Sequence, residues 1–111
     1  MEDLINQKIL SHEEMKLLTE EEIKDYLSQL KNWEYQRGPT SLIRRGFKFD
    51  DFVKAMEFVN KVADIAEKEG HHPDIAIHYN KVEITLWSHF INGLSMNDFI
   101  IAAKIDQILL Y

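Results

Sequence analysis

Two pairs of short alternating segments constrain the fold more than any other feature of the sequence. The first pair flanks Gly38-Pro39-Thr40 and consists of "WEYQRG" and "SLIRRGFKF"; the second is joined at Asn80-Lys81 and consists of "DIAIHY" and "KVEITLWSH". Apolar and polar residues alternate along these segments, as half-buried strands require. Because so few residues join the members of each pair, the sequence predicts two antiparallel hairpins.

Three further segments predict helices, one before, one between and one after the hairpins. They are "LTEEEIKDYLSQL", "DFVKAMEFVNKVADIAEKEG" and the segment that begins at Ser95. The first and the last carry capping-box patterns, in which a hydroxyl residue is followed three positions later by an acidic one. These pairs are Thr19 with Glu22 and Ser95 with Asp98.

The middle helix is expected to run from a cap at Asp50 to a stop at Gly70. Its apolar residues recur at helical spacing, which predicts a buried stripe of Phe52, Met56, Val59, Ala63 and Ala66. In the last helix, the same reasoning predicts a stripe of Ile101, Ile105 and Ile108.

The resulting order, α-β-β-α-β-β-α, is typical of the α+β class. We expect a small antiparallel sheet of about four strands with helices packed on one face. The other face or an edge of so small a sheet needs protection, which favours self-association.

The length of 111 residues fits one domain, residues 1–111. The first 17 residues are polar with scattered leucines, so they are interpreted as either a mobile extension or an additional helix. His12 lies in this segment, and the sequence assigns it no role.

Composition excludes several classes of function. The chain has no cysteine, which rules out disulfides, thiolate zinc sites and a cysteine nucleophile. The formal net charge of −6 argues against nucleic-acid binding. No apolar run is long enough to cross a membrane, and the N-terminus lacks the features of a secretory signal, so a cytoplasmic location is expected.

The stretch Gly70-His71-His72-Pro73 concentrates two of the five histidines. The proline forces His72 into an extended conformation, so the two imidazoles point to opposite sides and are not expected to bind one metal ion together. A metal site built from His71, His78, His89 and a carboxylate stays open as an alternative. Another alternative is that these are exposed loop histidines without a function.

His89 is expected to end the strand "KVEITLWSH", with Thr85 and Trp87 on the same face. A histidine beside an indole can form one wall of a pocket for a flat aromatic molecule. Two or three imidazoles around such a pocket supply an acid and a base near neutral pH without a cofactor.

These residues resemble the signature of the pterin-4a-carbinolamine dehydratases. That family carries Glu-Lys-x-x-His-His-Pro, a Tyr-Asn-x-Val-x-Ile/Val strand, a terminal histidine, and Gly-Leu-Ser/Thr with a following Asp. The matching residues here are Glu67, Lys68, His71, His72, Pro73, Tyr79, Asn80, Val82, Ile84, His89, Gly93, Leu94, Ser95 and Asp98. The resemblance extends upstream through Trp33 and covers about residues 17 to 110.

The resemblance implies an α+β domain that assembles into dimers or tetramers. It also implies a reaction that removes water from a 4a-hydroxytetrahydropterin to give a quinonoid dihydropterin, with no metal or redox cofactor. In this reading His71 and His89 are the acid-base pair, and His72 binds and orients the pterin with some share in catalysis. Trp87 and Ser88 match the segment that lines the pterin site.

Several positions keep a second interpretation. Glu67 matches an acidic position near the site, but it is also a solvated residue in the last turn of a helix. Asp98 either serves the site or only caps the helix begun by Ser95. Gly70 stands where many members carry an acidic or polar residue, so that position either lacks a side chain that tunes the imidazole or contacts the substrate through its backbone. His78 falls where the family varies and is expected to be exposed or satisfied.

A binding module is the competing function. In animals, members of this family also serve as a dimerisation cofactor for a homeodomain transcription factor. The presence of all three histidines together with a matching pocket strand favours the enzyme. A third possibility is a different hydroxylated heterocycle related to the pterins as the substrate.

Overall fold

The computed structural model describes residues 3–109. After a short 3-10 turn at Leu4–Asn6, the elements follow the predicted order and confirm the α+β class. They are α1 (Glu20–Leu27), β1 (Glu34–Gln36), β2 (Leu42–Lys48), α2 (Phe52–Glu69), β3 (Asp74–His78), β4 (Lys81–Leu86) and α3 (Met96–Ile108).

The four strands form one antiparallel sheet in the order β1-β2-β4-β3. The two predicted hairpins are present, and the pairing of β2 with β4 joins them in the middle of the sheet. In this central pairing Ile43 lies opposite Leu86 and Phe47 lies opposite Val82. The hairpins therefore contribute their apolar residues to one continuous face.

The two faces of the sheet differ sharply in character. On β4, Val82, Ile84 and Leu86 are buried, whereas Lys81 and Glu83 point to the opposite face and are exposed. The buried residues join the core that the helices cover. This alternation is the one expected of a sheet with helices on a single face.

α2 begins and packs differently from the sequence-based expectation. Its N-cap is Asp51, whose side chain accepts a hydrogen bond from the Lys54 N–H, and not Asp50. The predicted buried stripe was also wrong in part, because Phe52 and Ala63 are exposed. The buried residues are Ala55, Phe58, Val59, Val62 and Ala66. The prediction failed because apolar residues spaced three and four positions apart fit two neighbouring faces of this helix. Val59 and Ala66 belong to both faces, so they are buried as predicted.

α3 is buried on nearly all sides. The predicted capping box is present, because Ser95 and Asp98 exchange side-chain and backbone hydrogen bonds. The buried residues are Asn97, Asp98, Phe99, Ile100, Ile101, Ala102 and Ile105. α1, α2 and the N-terminal 3-10 turn all pack against this helix, which places polar side chains of its first turn inside the protein.

The N-terminal segment is packed against α3 and consists of turns and irregular backbone. Leu4 is buried, and the backbone of Leu10 exchanges two hydrogen bonds with the Asn97 side chain, at 2.7 and 3.0 Å. Further along, the Leu18 N–H donates to the Leu94 carbonyl at 3.0 Å. We call residues 9–18 the N-terminal strap. Of the two alternatives that the sequence left open, the structure shows neither an α-helix nor a segment without contacts.

None of the helices within residues 3–109 combines the length and the apolar character needed to cross a membrane.

Candidate active site

His71 is positioned by the end of α2. Gly70 ends this helix as predicted, with a left-handed φ of 69°. Its N–H and that of His71 both donate to the Ala66 carbonyl, so the chain turns sharply out of the helix. After this turn the His71 imidazole points into the protein, and the residue is 9% exposed.

A buried carboxylate holds the His71 ring. Nε2 of His71 lies 2.7 Å from Oδ1 of Asp98, whose side chain is completely buried. Oδ2 of Asp98 accepts hydrogen bonds from the Ser88 hydroxyl at 2.8 Å and from the Ser95 N–H at 3.0 Å. Asp98 therefore caps α3 and contacts His71 at the same time, so the two interpretations of this residue are compatible.

The hydrogen-bond inventory fixes the direction of this network. A carboxylate only accepts, so the proton between His71 and Asp98 belongs to Nε2 of the imidazole. The single Ser88 proton goes to Asp98, so the Ser95 hydroxyl donates to the Ser88 oxygen at 2.7 Å. With Nε2 engaged, Nδ1 is the His71 nitrogen left to exchange a proton with a ligand.

His72 lies in a different environment, although it is the next residue. Its Nε2 lies 2.6 Å from Oε2 of Glu67, and these side chains are 60% and 79% exposed. The neighbouring imidazoles thus have different partners, one buried and one exposed, although both line the same cavity.

His89 does not lie on a strand, which corrects the sequence-based expectation. β4 ends at Leu86, and an isolated bridge between Ser88 and Gly93 closes a turn that contains His89. The tight turn back towards α3 interrupts the regular pairing before His89 is reached. Its imidazole nevertheless lies against the Trp87 indole, with ring centroids 3.9 Å apart.

Trp87 is fixed from the other side. Its indole N–H donates to Oδ2 of Asp74, the first residue of β3, at 3.2 Å. The indole therefore sits between β3 and the turn that carries His89. It supplies a flat apolar surface next to an imidazole, as the sequence predicted.

A cavity of about 160 Å³ brings most of the predicted residues together. The three histidines His71, His72 and His89 line it, together with Gly70, Trp87 and Ser88. Two predicted residues are not part of the lining. Asp98 lies behind His71, and Glu67 lies on the outer side of His72.

Three further residues that the sequence did not single out also line the cavity: His12, Met15 and Phe90. Phe90 directly follows His89, so its position could have drawn attention. His12 and Met15 come from the N-terminal strap, and their place depends on tertiary contacts that no local pattern reveals.

Among residues 3–109, no group of three or more histidine and acidic side chains is placed to hold a metal ion. His78, part of the alternative metal set, is exposed on the outer face of the sheet beside Lys48 and Lys81. It does not line the cavity that the other three histidines share.

Comparison with known proteins identifies the family to which the chain belongs. Residues 16–108 match the family model described as Pterin 4 alpha carbinolamine dehydratase. The chain belongs to this family. The match contains all the predicted site residues, but it begins after His12 and Met15.

Two curated relatives within the family are similar over most of their length, and each is named "Putative pterin-4-alpha-carbinolamine dehydratase". The protein of Nitrosococcus oceani is 44% identical over 93 residues, which cover 83% of this chain and 82% of the relative. The protein of Alkaliphilus metalliredigens is 46% identical over 90 residues, which cover 81% and 80%.

Two solved structures are similar to this chain in fold. A transcriptional coactivator/pterin dehydratase from Brucella melitensis has a TM-score of 0.79 and 39% identity, covering 84% of this chain and 98% of the other. A pterin dehydratase-like protein, described as a RuBisCO assembly factor in the alpha-carboxysome, has a TM-score of 0.61 and 26% identity, covering 69% and 88%.

Gly70 is the position at which the sequence resemblance leads us to expect a departure from many family members. A Cβ added there would meet no atom within 4 Å, so the space is open. The left-handed backbone is the feature that favours glycine at this point. The contact between His71 and Asp98 is made without any side chain from residue 70.

Proposed function

We propose that this protein is a dehydratase that removes water from a 4a-hydroxytetrahydropterin and releases a quinonoid dihydropterin, as in tetrahydropterin recycling. The observation that carries the proposal is the convergence of three imidazoles on one cavity, one of them backed by a buried carboxylate. Membership of the pterin dehydratase family supports the class of substrate and reaction.

The reaction requires two proton transfers and no net change in oxidation state. The C4a–O bond breaks, and a proton delivered to the departing hydroxyl makes it water. A second proton leaves the neighbouring ring nitrogen, whose electron pair forms the new double bond to C4a. Imidazoles suit both transfers because they exchange protons near neutral pH.

We assign the two transfers to His71 and His89. Asp98 holds the His71 ring through Nε2, so that Nδ1 is the nitrogen available to exchange a proton at the cavity. His89 lies against Trp87 and supplies the second imidazole. His72, on the exposed side, binds and orients the pterin, and Glu67 orients His72.

The remaining residues bind the substrate or position other residues of the site. Trp87 offers the flat surface on which a pterin ring can stack. The Ser88 hydroxyl is already committed to Asp98 and Ser95, so its contribution to binding comes through the position of Asp98. Gly70 approaches the substrate only with its backbone.

The test is absorbance-followed dehydration of freshly generated 4a-hydroxytetrahydropterin without added metal. Native protein is compared with His71→Ala and His89→Ala, and His78→Ala serves as the matched control because this histidine is exposed outside the cavity. Circular dichroism confirms that each variant is folded. We expect the native protein and the control to accelerate the reaction, and each cavity variant to lose about 100-fold. A folded native protein without activity would overturn the proposal.

The second candidate is a binding module of the same fold. It is supported by the structural relatives, one described as a transcriptional coactivator/pterin dehydratase and the other as a RuBisCO assembly factor. On this alternative the cavity residues can be replaced without loss of function. The dehydration assay separates the two candidates, because a binding module has no need of His71 and His89.

We further propose that the chain forms a homodimer or homotetramer. β1 and β3 are edge strands of the sheet, and β3 and the start of α2 carry exposed apolar residues: Ile77, Phe52 and Val53. Such surfaces favour association between copies. Sedimentation equilibrium of the native protein at micromolar concentration is the test, and a monomer would contradict the proposal.

A further inference from the structure

His12 and Met15 of the N-terminal strap line the cavity, and both precede the part of the chain that matches the family. Hydrogen bonds fix the strap at two points in the chain, one before and one after these two residues. Leu10, which precedes the two lining residues in the chain, is hydrogen-bonded to the Asn97 side chain. Leu18, which follows them, donates its N–H to the Leu94 carbonyl. Both partners lie at the start of α3 or directly before it, so the strap is fixed to the same structure that holds Asp98.

Between these anchors the strap forms a closed turn. The Ser11 N–H donates to the Glu14 carboxylate at 3.0 Å, and the Glu14 N–H donates to the Ser11 hydroxyl at 3.3 Å. The Met15 N–H donates to the Ser11 carbonyl at 3.0 Å. These bonds with Ser11 lower the pKa of Glu14, as expected of a carboxylate that accepts backbone hydrogen bonds.

The turn places His12, which is exposed, in the lining of the cavity. The imidazole of His12 stacks on the Phe90 ring, with centroids 4.2 Å apart and planes inclined by 14°. Phe90 is 63% exposed, so its ring is not held in this position by the core. His12 and Phe90 are both exposed and both line the cavity, and we call this stacked pair the rim; one comes from the strap and the other from the turn that carries His89.

The volume of the cavity limits how much of a pterin it can enclose. A cavity of about 150 Å³ suffices for one benzene molecule, and the cavity here measures about 160 Å³. A two-ring pterin with a substituent is larger than that. Part of the substrate must therefore lie outside this volume.

We propose that His12 is a specificity-determining residue, which binds the ring substituent of the pterin by hydrogen bonding where it leaves the cavity. This inference rests on the proposed function, since it names a further contact to the same substrate. A substituent that carries hydroxyl groups would be preferred, because an imidazole both donates and accepts hydrogen bonds. His12 takes no part in the proton transfers, so its effect falls on binding.

The test compares two 4a-hydroxytetrahydropterins, one with a dihydroxypropyl substituent and one with a methyl group. In His12→Ala we expect KM for the hydroxylated substrate to rise about fivefold, the value of one lost hydrogen bond. We expect kcat to stay within twofold, and KM for the methyl substrate to change less than twofold. His12→Gln, which keeps a donor and an acceptor, should restore most of the preference, and His78→Ala should behave as the native protein.

A second measurement does not depend on turnover. Calorimetric titration with the two corresponding oxidised pterins should show the same loss of preference in His12→Ala. If the native protein turns over substrate but the variant keeps the native preference, the inference is wrong and the dehydratase proposal stands. If the native protein binds these pterins without turnover, the titration alone decides the inference.

Two other outcomes would also overturn the inference. An equal loss of affinity for both pterins would show that His12 only supports the shape of the rim, and a native protein that binds no pterin would remove the ligand itself. Should His12→Ala fail to fold, Phe90→Leu provides a second way to open the stacked pair, with the same expected loss of preference.

Discussion

His71 and His72 are adjacent in the chain and line the same cavity, yet they differ in burial and in the surroundings of their carboxylate partners. His71 is buried, and its partner Asp98 is engaged by Ser88 and Ser95 as well. His72 is exposed, and its partner Glu67 is more exposed still. The comparison teaches that the role of an imidazole depends on what lies behind it as much as on where it stands in the sequence.

The difference has a physical consequence for how each partner acts. Hydrogen bonds to a buried carboxylate are strong, and removing one partner leaves groups unsatisfied that water cannot reach. Exposed ion pairs are screened by solvent and contribute little to stability. We therefore expect the buried pair to resist motion and the exposed pair to adapt to a ligand.

The largest effect should come from Asp98→Asn, which replaces the buried carboxylate by an amide of the same shape. We expect the free energy of unfolding to fall by about 2 kcal/mol, because the amide cannot accept all the bonds that Asp98 accepts. The dehydration rate should fall about 100-fold, since His71 loses its carboxylate. Urea denaturation and initial rates measure the two effects. An unchanged unfolding free energy would contradict the buried network.

Ser88→Ala should have an intermediate effect. It removes the hydroxyl between Ser95 and Asp98, and we expect a loss of about 1 to 2 kcal/mol in the free energy of unfolding. Ser28→Ala is a suitable control, because Ser28 is exposed and donates only to the nearby Asp25 carbonyl. The control should lose less than about 0.5 kcal/mol. Equal losses in the two variants would show that burial of the bond does not matter.

The smallest effect should come from Glu67→Gln, which makes on the exposed side the same change that Asp98→Asn makes on the buried side. We expect the free energy of unfolding to change by less than about 0.5 kcal/mol. kcat/KM should stay within about threefold, because His72 is solvated without its partner. If Glu67→Gln cost as much as Asp98→Asn in both measurements, the contrast between the two histidines would be wrong.

Local patterns predicted most of the fold. The hairpins, the two capping boxes and the glycine at the end of α2 were all found where the sequence placed them, since each depends on residues within a few positions of one another. The errors came where two local solutions are nearly equivalent. Asp50 and Asp51 are both able to cap α2, and the apolar residues of α2 fit two adjacent helix faces.

The candidate site was predictable in its composition but not in its connections. The histidines and Trp87 do line one cavity, and resemblance to a family pointed to them. The contact between His71 and Asp98 joins residues 27 positions apart, and the bond between Leu10 and Asn97 joins residues 87 positions apart. No periodicity in the sequence carries information about such pairs, so the two uses of Asp98 and the rim formed by His12 required the structure.

The double use of Asp98 bears on how activity can be lost or detected in evolution. Two of its hydrogen bonds, from Ser88 and Ser95, support the start of α3 whether or not the protein acts on a pterin. A lineage that abandoned the reaction would still be selected to keep an aspartate at this position. The imidazole at position 71 bonds to Oδ1 of Asp98, whereas the capping box of α3 uses Oδ2, so the cap does not depend on His71 and position 71 would be freer to drift. The residue at position 71 would therefore distinguish active from inactive relatives more reliably than the residue at position 98.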